Sequence, residues 1–312
     1  MSRIDKPGRA RRPRLAGPAL TPWLFAAPGL VLLLVFLVVP FALAFVFSFT
    51  DQRLIGNDDL GTSFVGARNY LRLFDDESFW AALKNNFFFV AVVAPVQSAI
   101  ALGLALLVNQ KLPGTKLFRT IYFMPVATTM AVVAVTWSLL YSPDAGVINR
   151  LVGALTFGAV GPQDWLRDPA LVMPAVMVMS IWQGVGFQML VFLAGLQSIP
   201  GDLYEAATLD GATPWKQFRY VTLPLLKNTT IFVLVTTTIY AFQLFTQVQI
   251  IAASGASAPV DSFRTMVMLM VHEGFRNGKI GYASALSVVF FAIVLAVSLV
   301  QRLVLREERV VQ

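Results

Sequence analysis

The sequence predicts an all-α integral membrane protein with six transmembrane helices, and three observations carry that expectation. Hydrophobic residues fill 57% of the 312 positions and charged residues only 13%. That charged share lies well below the quarter of soluble domains, so a water-soluble fold would leave too much apolar surface exposed. Six windows of at least twenty residues hold no Asp, Glu, Lys, Arg or His: Trp23 to Thr50, Asn85 to Gln110, Thr120 to Pro143, Pro169 to Gly201, Asn228 to Val260 and Ile280 to Gln301. Each is long enough for one helical crossing of a hydrocarbon layer, which takes about 20 residues. Charge placement is the third observation. With the N-terminus inside, the inner segments carry 15 of the 24 Lys and Arg, and the outer loops carry the other 9 with 11 of the 17 acids. Short-loop cations stay on the side of synthesis, so both termini are expected to be cytoplasmic.

Residues 1–22 read as a basic cytoplasmic tail, in which Arg3, Lys6, Arg9, Arg11, Arg12 and Arg14 alternate with Pro and Gly rather than with aromatics. That pattern suits a topology anchor near anionic lipid headgroups and gives no reason to expect nucleic-acid binding, despite a net charge of +7. Ala42-Leu43-Ala44 resembles a signal-peptide cleavage site, yet the preceding apolar run exceeds the usual 7–15 residues, roughly, so an uncleaved anchor is expected. The spans are then placed at about 23–49, 86–108, 120–141, 171–196, 229–251 and 282–303, with a second cytoplasmic tail at 304–312. Pro28 and Pro40 should kink the first. Gly184 and Gly186 in the fourth should let another helix approach closely. Trp182, Gln183 and Gln188 on the same span carry polar groups that need partners in hydrocarbon, so they should face protein or a watery path. In the fifth span Tyr240, Gln243 and Gln247 fall at i, i+3 and i+7 and so share one helical face. Neutral amides beside an aromatic ring suit a hydroxylated solute, and they suit an interhelical polar seam nearly as well.

The segment 198–224 is different, being polar and wedged between two long apolar runs. Asp202 with Glu205 has capping-box spacing for a helix start, Gly211 offers the left-handed conformation that ends a helix, and Thr213-Pro214 restarts one. Pro224 should stop the second piece. Two short helices at an angle follow, with Ala206 and Ala207 forming a smooth face on the first.

Glu205-Ala206-Ala207, Gly211 after three residues, then Val221, Leu223 and Pro224 after nine more make a pattern that resembles the signature of permease subunits of binding-protein-dependent ABC importers. Val221 stands where Ile is usual. The resemblance implies a type I ABC importer permease fold in which 198–224 is a cytoplasmic coupling-helix loop docked in a groove of an ATP-hydrolysing subunit, with Glu205, Ala206, Ala207, Asp210, Gly211, Leu223 and Pro224 at the contact. It implies a second permease subunit, expected as a heterodimer, two ABC ATPase subunits, an extracytoplasmic solute-binding protein and a bacterial cytoplasmic membrane. Asn69-Tyr70, Ser142-Pro143-Asp144, Asp164-Trp165-Leu166 and Leu196-Gln197-Ser198-Ile199-Pro200 resemble the sugar-type subgroup. Tyr240-Ala241-Phe242 and Glu273-Gly274-Phe275 are similar to its glycerol-phosphate members. The implied solute is therefore a carbohydrate or related polyol or glycerol-phosphate compound.

The chemistry that is missing fits such a subunit. The chain has no cysteine and one histidine, His272, so thiolate and multi-histidine metal sites are excluded. No G-x-x-x-x-G-K-[ST] phosphate cradle occurs, and Gly114-Thr115-Lys116 lacks its spacing. No cofactor is expected on this chain, and ATP and Mg would bind the partner ATPase. A secondary transporter or channel is the rival class, but the internal repeats and intramembrane ionisable residues common in such proteins are not found.

Overall fold

A computed structural model describes residues 21–54, 62–110, 113–255 and 258–305. Most of both basic tails and the Lys111-Leu112 turn lie outside the described residues. Among those described, the chain is helix and turn apart from one isolated bridge between Thr50 and Phe64. Five helices are long and apolar enough to cross a membrane: Pro22–Phe47, Glu77–Asn109, Val172–Gln197, Lys227–Ala253 and Ile280–Leu305. A bent pair, Thr115–Ala127 and Met130–Leu140, inclined at 100°, has the length and composition for a sixth if the two are taken as one span.

Three spans differ from their expected form, each for a local reason. The second begins at Glu77, where Asp76 caps it by accepting from the Ser78 amide at 2.9 Å. Lys84 is exposed on its outer turns, so the charges that delimited the window do not delimit the helix. The third is broken because Pro125 cannot donate to the helical ladder. The chain tightens into a 3-10 turn over Met124–Ala127, then passes through extended Thr128 and Thr129. The fifth is interrupted after Phe242 and resumes at Thr246, with Phe245 outside helical geometry (φ −145°, ψ −59°). The first span carries a π-turn over Leu34–Val38 directly before Pro40.

The second, fourth and fifth spans form the centre. Small residues lie at their contacts, with Gly184 against Gln97 of the second span, Gly195 against Thr229 of the fifth, and Ala101 and Ala105 fully buried, as expected where helices associate by close packing rather than by expelling water. One apolar cluster, around Phe242, Phe263 and Met266, fills one part of the bundle. A second, around Ala105, Phe192, Leu196 and Leu226, fills another. The first span has no buried residue in its most apolar stretch and leans on the sixth through Phe41 and Phe291, whose rings lie 5.0 Å apart.

Beyond the first span, Asn69 donates to the carbonyls of Ser48 and Thr50 at 2.9 and 2.8 Å, anchoring a short helix, Arg68–Phe74. Asp51 accepts from the Ser63 amide and hydroxyl at 2.7 and 2.8 Å, and these bonds hold its carboxyl below the ordinary value of 3.8. A depressed carboxylate stabilises above its unfolded value and loses that contribution as pH falls through its folded value. Hydrogen-exchange protection of the Ser63 amide should therefore be flat from neutral pH down to about 4 and decline below that. A decline beginning near pH 6 would contradict the assignment.

Candidate coupling loop and solute cleft

The polar segment forms an elbow. Its first helix, Gly201–Leu209, starts behind Pro200, and no side chain caps it. Asp202 and Glu205 therefore both lie inside the helix, and the expected capping box is not made, because Pro200 (φ −60°) starts the helix before Asp202 can cap it. The C-terminus follows expectation. Gly211 has φ +73°, its amide bonds to the Thr208 carbonyl at 3.0 Å and the Ala212 amide to the Ala207 carbonyl at 2.9 Å, a Schellman closure. Thr213 then caps Pro214–Gln217 by accepting from the Lys216 amide. Gln217 ties the two arms together, donating to the Thr208 hydroxyl at 2.9 Å, and Tyr204 and Thr222 hydroxyls meet at 2.9 Å.

Pro224 does not stop the second arm. A π-turn over Phe218–Thr222 lets the Leu223 amide reach the Phe218 carbonyl, and Leu223–Leu225 continues the helical path. This loosened turn accommodates the missing proline N–H and its ring. The path bends at Leu226 (φ −82°, ψ 0°), whose amide still bonds to Thr222, and then becomes the fifth span. The elbow is thus joined to that span almost without a break. Glu205, Ala206, Asp210, Gly211 and Pro224 are exposed, and Ala207 and Leu223 are half-buried. Beside them stand Leu209, Trp215 and Tyr220, large apolar groups exposed by 89%, 70% and 73% among the described residues, although Trp215 meets the Phe218 ring at 5.5 Å and Arg219 lies over the Tyr220 ring.

A cleft of about 420 Å³ lies among the second, fourth and fifth spans. Gln183, Gln188, Tyr240, Gln243 and Gln247 all line it. The single-face argument for the last three does not survive, since the helix breaks between them, yet the break returns all three to one cleft. Trp182 does not join them. It faces the other side of its helix, 5.6 Å from the Trp137 ring, beside a separate apolar groove. Thr237, one of the fifth-span hydroxyls, joins them, and sequence reasoning missed Gln97, Phe89, Phe187 and Ser180, which also line it. Gln97 was the legible one, an amide inside a charge-free window like the others.

The cleft's chemistry is neutral. Among the described lining residues no carboxylate, ammonium or guanidinium occurs. Gln188 donates to Thr237 Oγ1 and keeps Oε1 buried with no protein partner. Gln247 donates to Ser180 Oγ at 3.2 Å. The amides of Gln188 and Gln247 therefore serve as an interhelical seam, and Gln188 Oε1 stays unpaired in a cleft that Gln183 and Gln243 also line. The larger groove of about 840 Å³ that holds Trp182 is lined by Val96, Ile100, Leu104 and Ile121 and lacks such amides.

The model of one protein family, binding-protein-dependent transport system inner membrane components, matches residues 97–310. The chain belongs to this family. The permease is 33% identical over 290 residues to the lactose transport system permease protein of Rhizobium radiobacter, covering 92% of this chain and 94% of that one. It is 32% identical over 280 residues to the sn-glycerol-3-phosphate transport system permease protein of Yersinia pestis, covering 90% and 92%. Among solved structures, a bacterial ABC transporter involved in the import of the acidic polysaccharide alginate aligns with a TM-score of 0.76 at 24% identity, over 93% of this chain and 96% of that one, a likeness of fold. The permease is thus a multi-pass membrane component of an ABC importer.

Proposed function

We propose that this permease passes a neutral, hydroxylated solute of the carbohydrate class through the Gln-lined cleft, driven by ATPase subunits that grip the 201–224 elbow. The observation that carries the proposal is the neutral amide lining of the cleft together with an apolar-studded elbow continuous with one of its walls. A phosphorylated solute would call for a cation in the cleft. Amides that both donate and accept match sugar hydroxyls, and Tyr240, 70% exposed, offers a ring face for a sugar's apolar side. The partners are a second permease, two ATPases that bind ATP and Mg, and an extracytoplasmic solute-binding protein. The elbow and both termini are placed on the cytoplasmic face of a bacterial inner membrane.

Alternating access follows from this arrangement. Closure of the paired ATPases would carry the elbow inward, the fifth span would move with it through Leu226, and the cleft would open toward the binding protein. Glu205 makes the charged contact with the ATPase and Leu209 and Trp215 supply its apolar area. The test is reconstitution with its ATPases and binding protein, followed by ATP-dependent uptake of a panel of radiolabelled sugars. Gln183→Ala and Gln243→Ala should each raise the half-saturating solute concentration roughly tenfold, about what one or two lost hydrogen bonds are worth. Uptake driven by an ion gradient by the permease alone would overturn the reading in favour of a secondary transporter.

A further inference from the structure

The break in the fifth span leaves carbonyls without helical donors at the buried residues Phe242 and Leu244, and each must find a partner. Two fully buried side chains from elsewhere supply them. Asn86, on the second span, donates from Nδ2 to the Phe242 carbonyl at 3.0 Å. Thr265, just before the helix Met266–Val271, donates from Oγ1 to the Leu244 carbonyl at 2.8 Å. Gln243, the cleft residue, sits between these two anchored carbonyls.

The same two residues also hold the segment that follows the fifth span. Asn86 Oδ1 accepts from the Met266 amide at 2.8 Å, and Thr265 Oγ1 accepts from the Met268 amide at 3.4 Å. Next to Asn86, Asn85 donates to the carbonyls of Asp261 and Arg264 at 2.9 and 3.0 Å. One short staple therefore joins three pieces of chain: the second span, the break beside the cleft, and residues 261–268 of the last loop.

We propose that Asn86 and Thr265 are positioning residues that aim Gln243 into the cleft and tie its position to that of the 261–268 segment. Neither residue is among those that line the cleft. Their effect runs through two carbonyls, so a shift of the last loop is passed to Gln243 by hydrogen bonds rather than by general packing. Asn is suited to the first position because its amide donates and accepts at once; a carboxylate would leave the Phe242 carbonyl unmet, and an apolar group would leave both main-chain partners unmet. That the aimed residue meets solute rests on the cleft reading above. The position of Gln243 itself does not.

The absence of cysteine makes the test direct. Single substitutions Gln243→Cys and Gln183→Cys are placed in the assembled transporter in membranes, and their reaction rates with a cationic methanethiosulfonate are measured in four backgrounds: unaltered, Asn86→Leu, Thr265→Val and Thr265→Ser. The rate at position 243 should change about tenfold with Asn86→Leu and with Thr265→Val, and stay within about twofold with Thr265→Ser, which keeps the hydroxyl. The rate at position 183, on a span the staple does not reach, should hold in every background. An unchanged rate at 243, or parallel changes at 243 and 183, would overturn the proposal, since the second pattern is what general loosening gives. If Asn86→Leu is not recovered from membranes, the Thr265 pair decides alone, because valine keeps the shape of threonine. No solute enters this measurement, so its failure is separate from any failure of the cleft variants in uptake.

Discussion

Gly211→Val is expected to abolish ATP-driven uptake and binding-protein-stimulated ATP hydrolysis while the permease remains inserted in the membrane at normal abundance. A Cβ at this position would meet nothing within 4 Å, so crowding is not the cause. The cause is the backbone: φ is +73°, and a left-handed residue with a side chain costs about 1–2 kcal/mol, more for a β-branched one. That strain is relieved by opening the Schellman closure, which frees the Thr208 and Ala207 carbonyls and swings Leu209 away from Trp215. Gly211→Asn separates this account from a simple need for a small residue, since asparagine tolerates the left-handed region. It should retain most of the uptake, with Gly211→Ala in between. Transport by the valine variant at the normal rate would count heavily against the elbow as the ATPase contact.

Gly186→Ala should cost the permease its fold rather than its coupling. The added Cβ would lie 2.1 Å from the Tyr122 carbonyl oxygen and 3.0 Å from Phe123 Cα, backbone atoms that cannot turn aside. The fourth span and the first half of the bent third must then separate. Overpacking of this kind costs about 1–3 kcal/mol and here acts on a contact between two main chains. The expected result is a sharply lower yield of monodisperse protein in detergent and a fall of several degrees in its unfolding midpoint. Gly184→Ala, two residues away, is the control. Its Cβ would lie 2.4 Å from Gln97 Nε2, the far end of a side chain that can rotate. That variant should be recovered normally and show altered solute affinity, because Gln97 is pushed within the cleft. Equal losses of yield in both variants would show that the backbone contact at Gly186 is not special.

Gly184 and Gly186 of the fourth span were legible because a missing side chain in a membrane helix means close approach whatever the partner. The identity of the partners was not, since Tyr122 and Gln97 come from other spans. The amides Gln183, Gln188, Gln243 and Gln247 were legible for the same kind of reason: their cost in hydrocarbon depends on the residue alone. Trp182 could not be told apart from the amides beside it, because a polar tip does not say which way a helix is turned, and it packs against Trp137 outside the cleft. The interruptions at Pro125 and after Phe242 escaped the reading of charge-free windows, since hydropathy records only how apolar a stretch is and not whether its ladder is intact. Asn86 looked like the first residue of a span and nothing more.

The chain's own order of residues determined that it lives in a membrane, about how many times it crosses, and that its polar elbow turns at Gly211, because transfer energies and left-handed φ are properties of single residues and their immediate neighbours. Only the tertiary structure decided where the third and fifth spans break, which amides meet in one cleft, and how the last loop is tied to them. A broken helix in hydrocarbon survives only when groups distant in sequence satisfy its freed carbonyls, and it is the folded arrangement of the spans that brings Asn86 and Thr265 to Phe242 and Leu244.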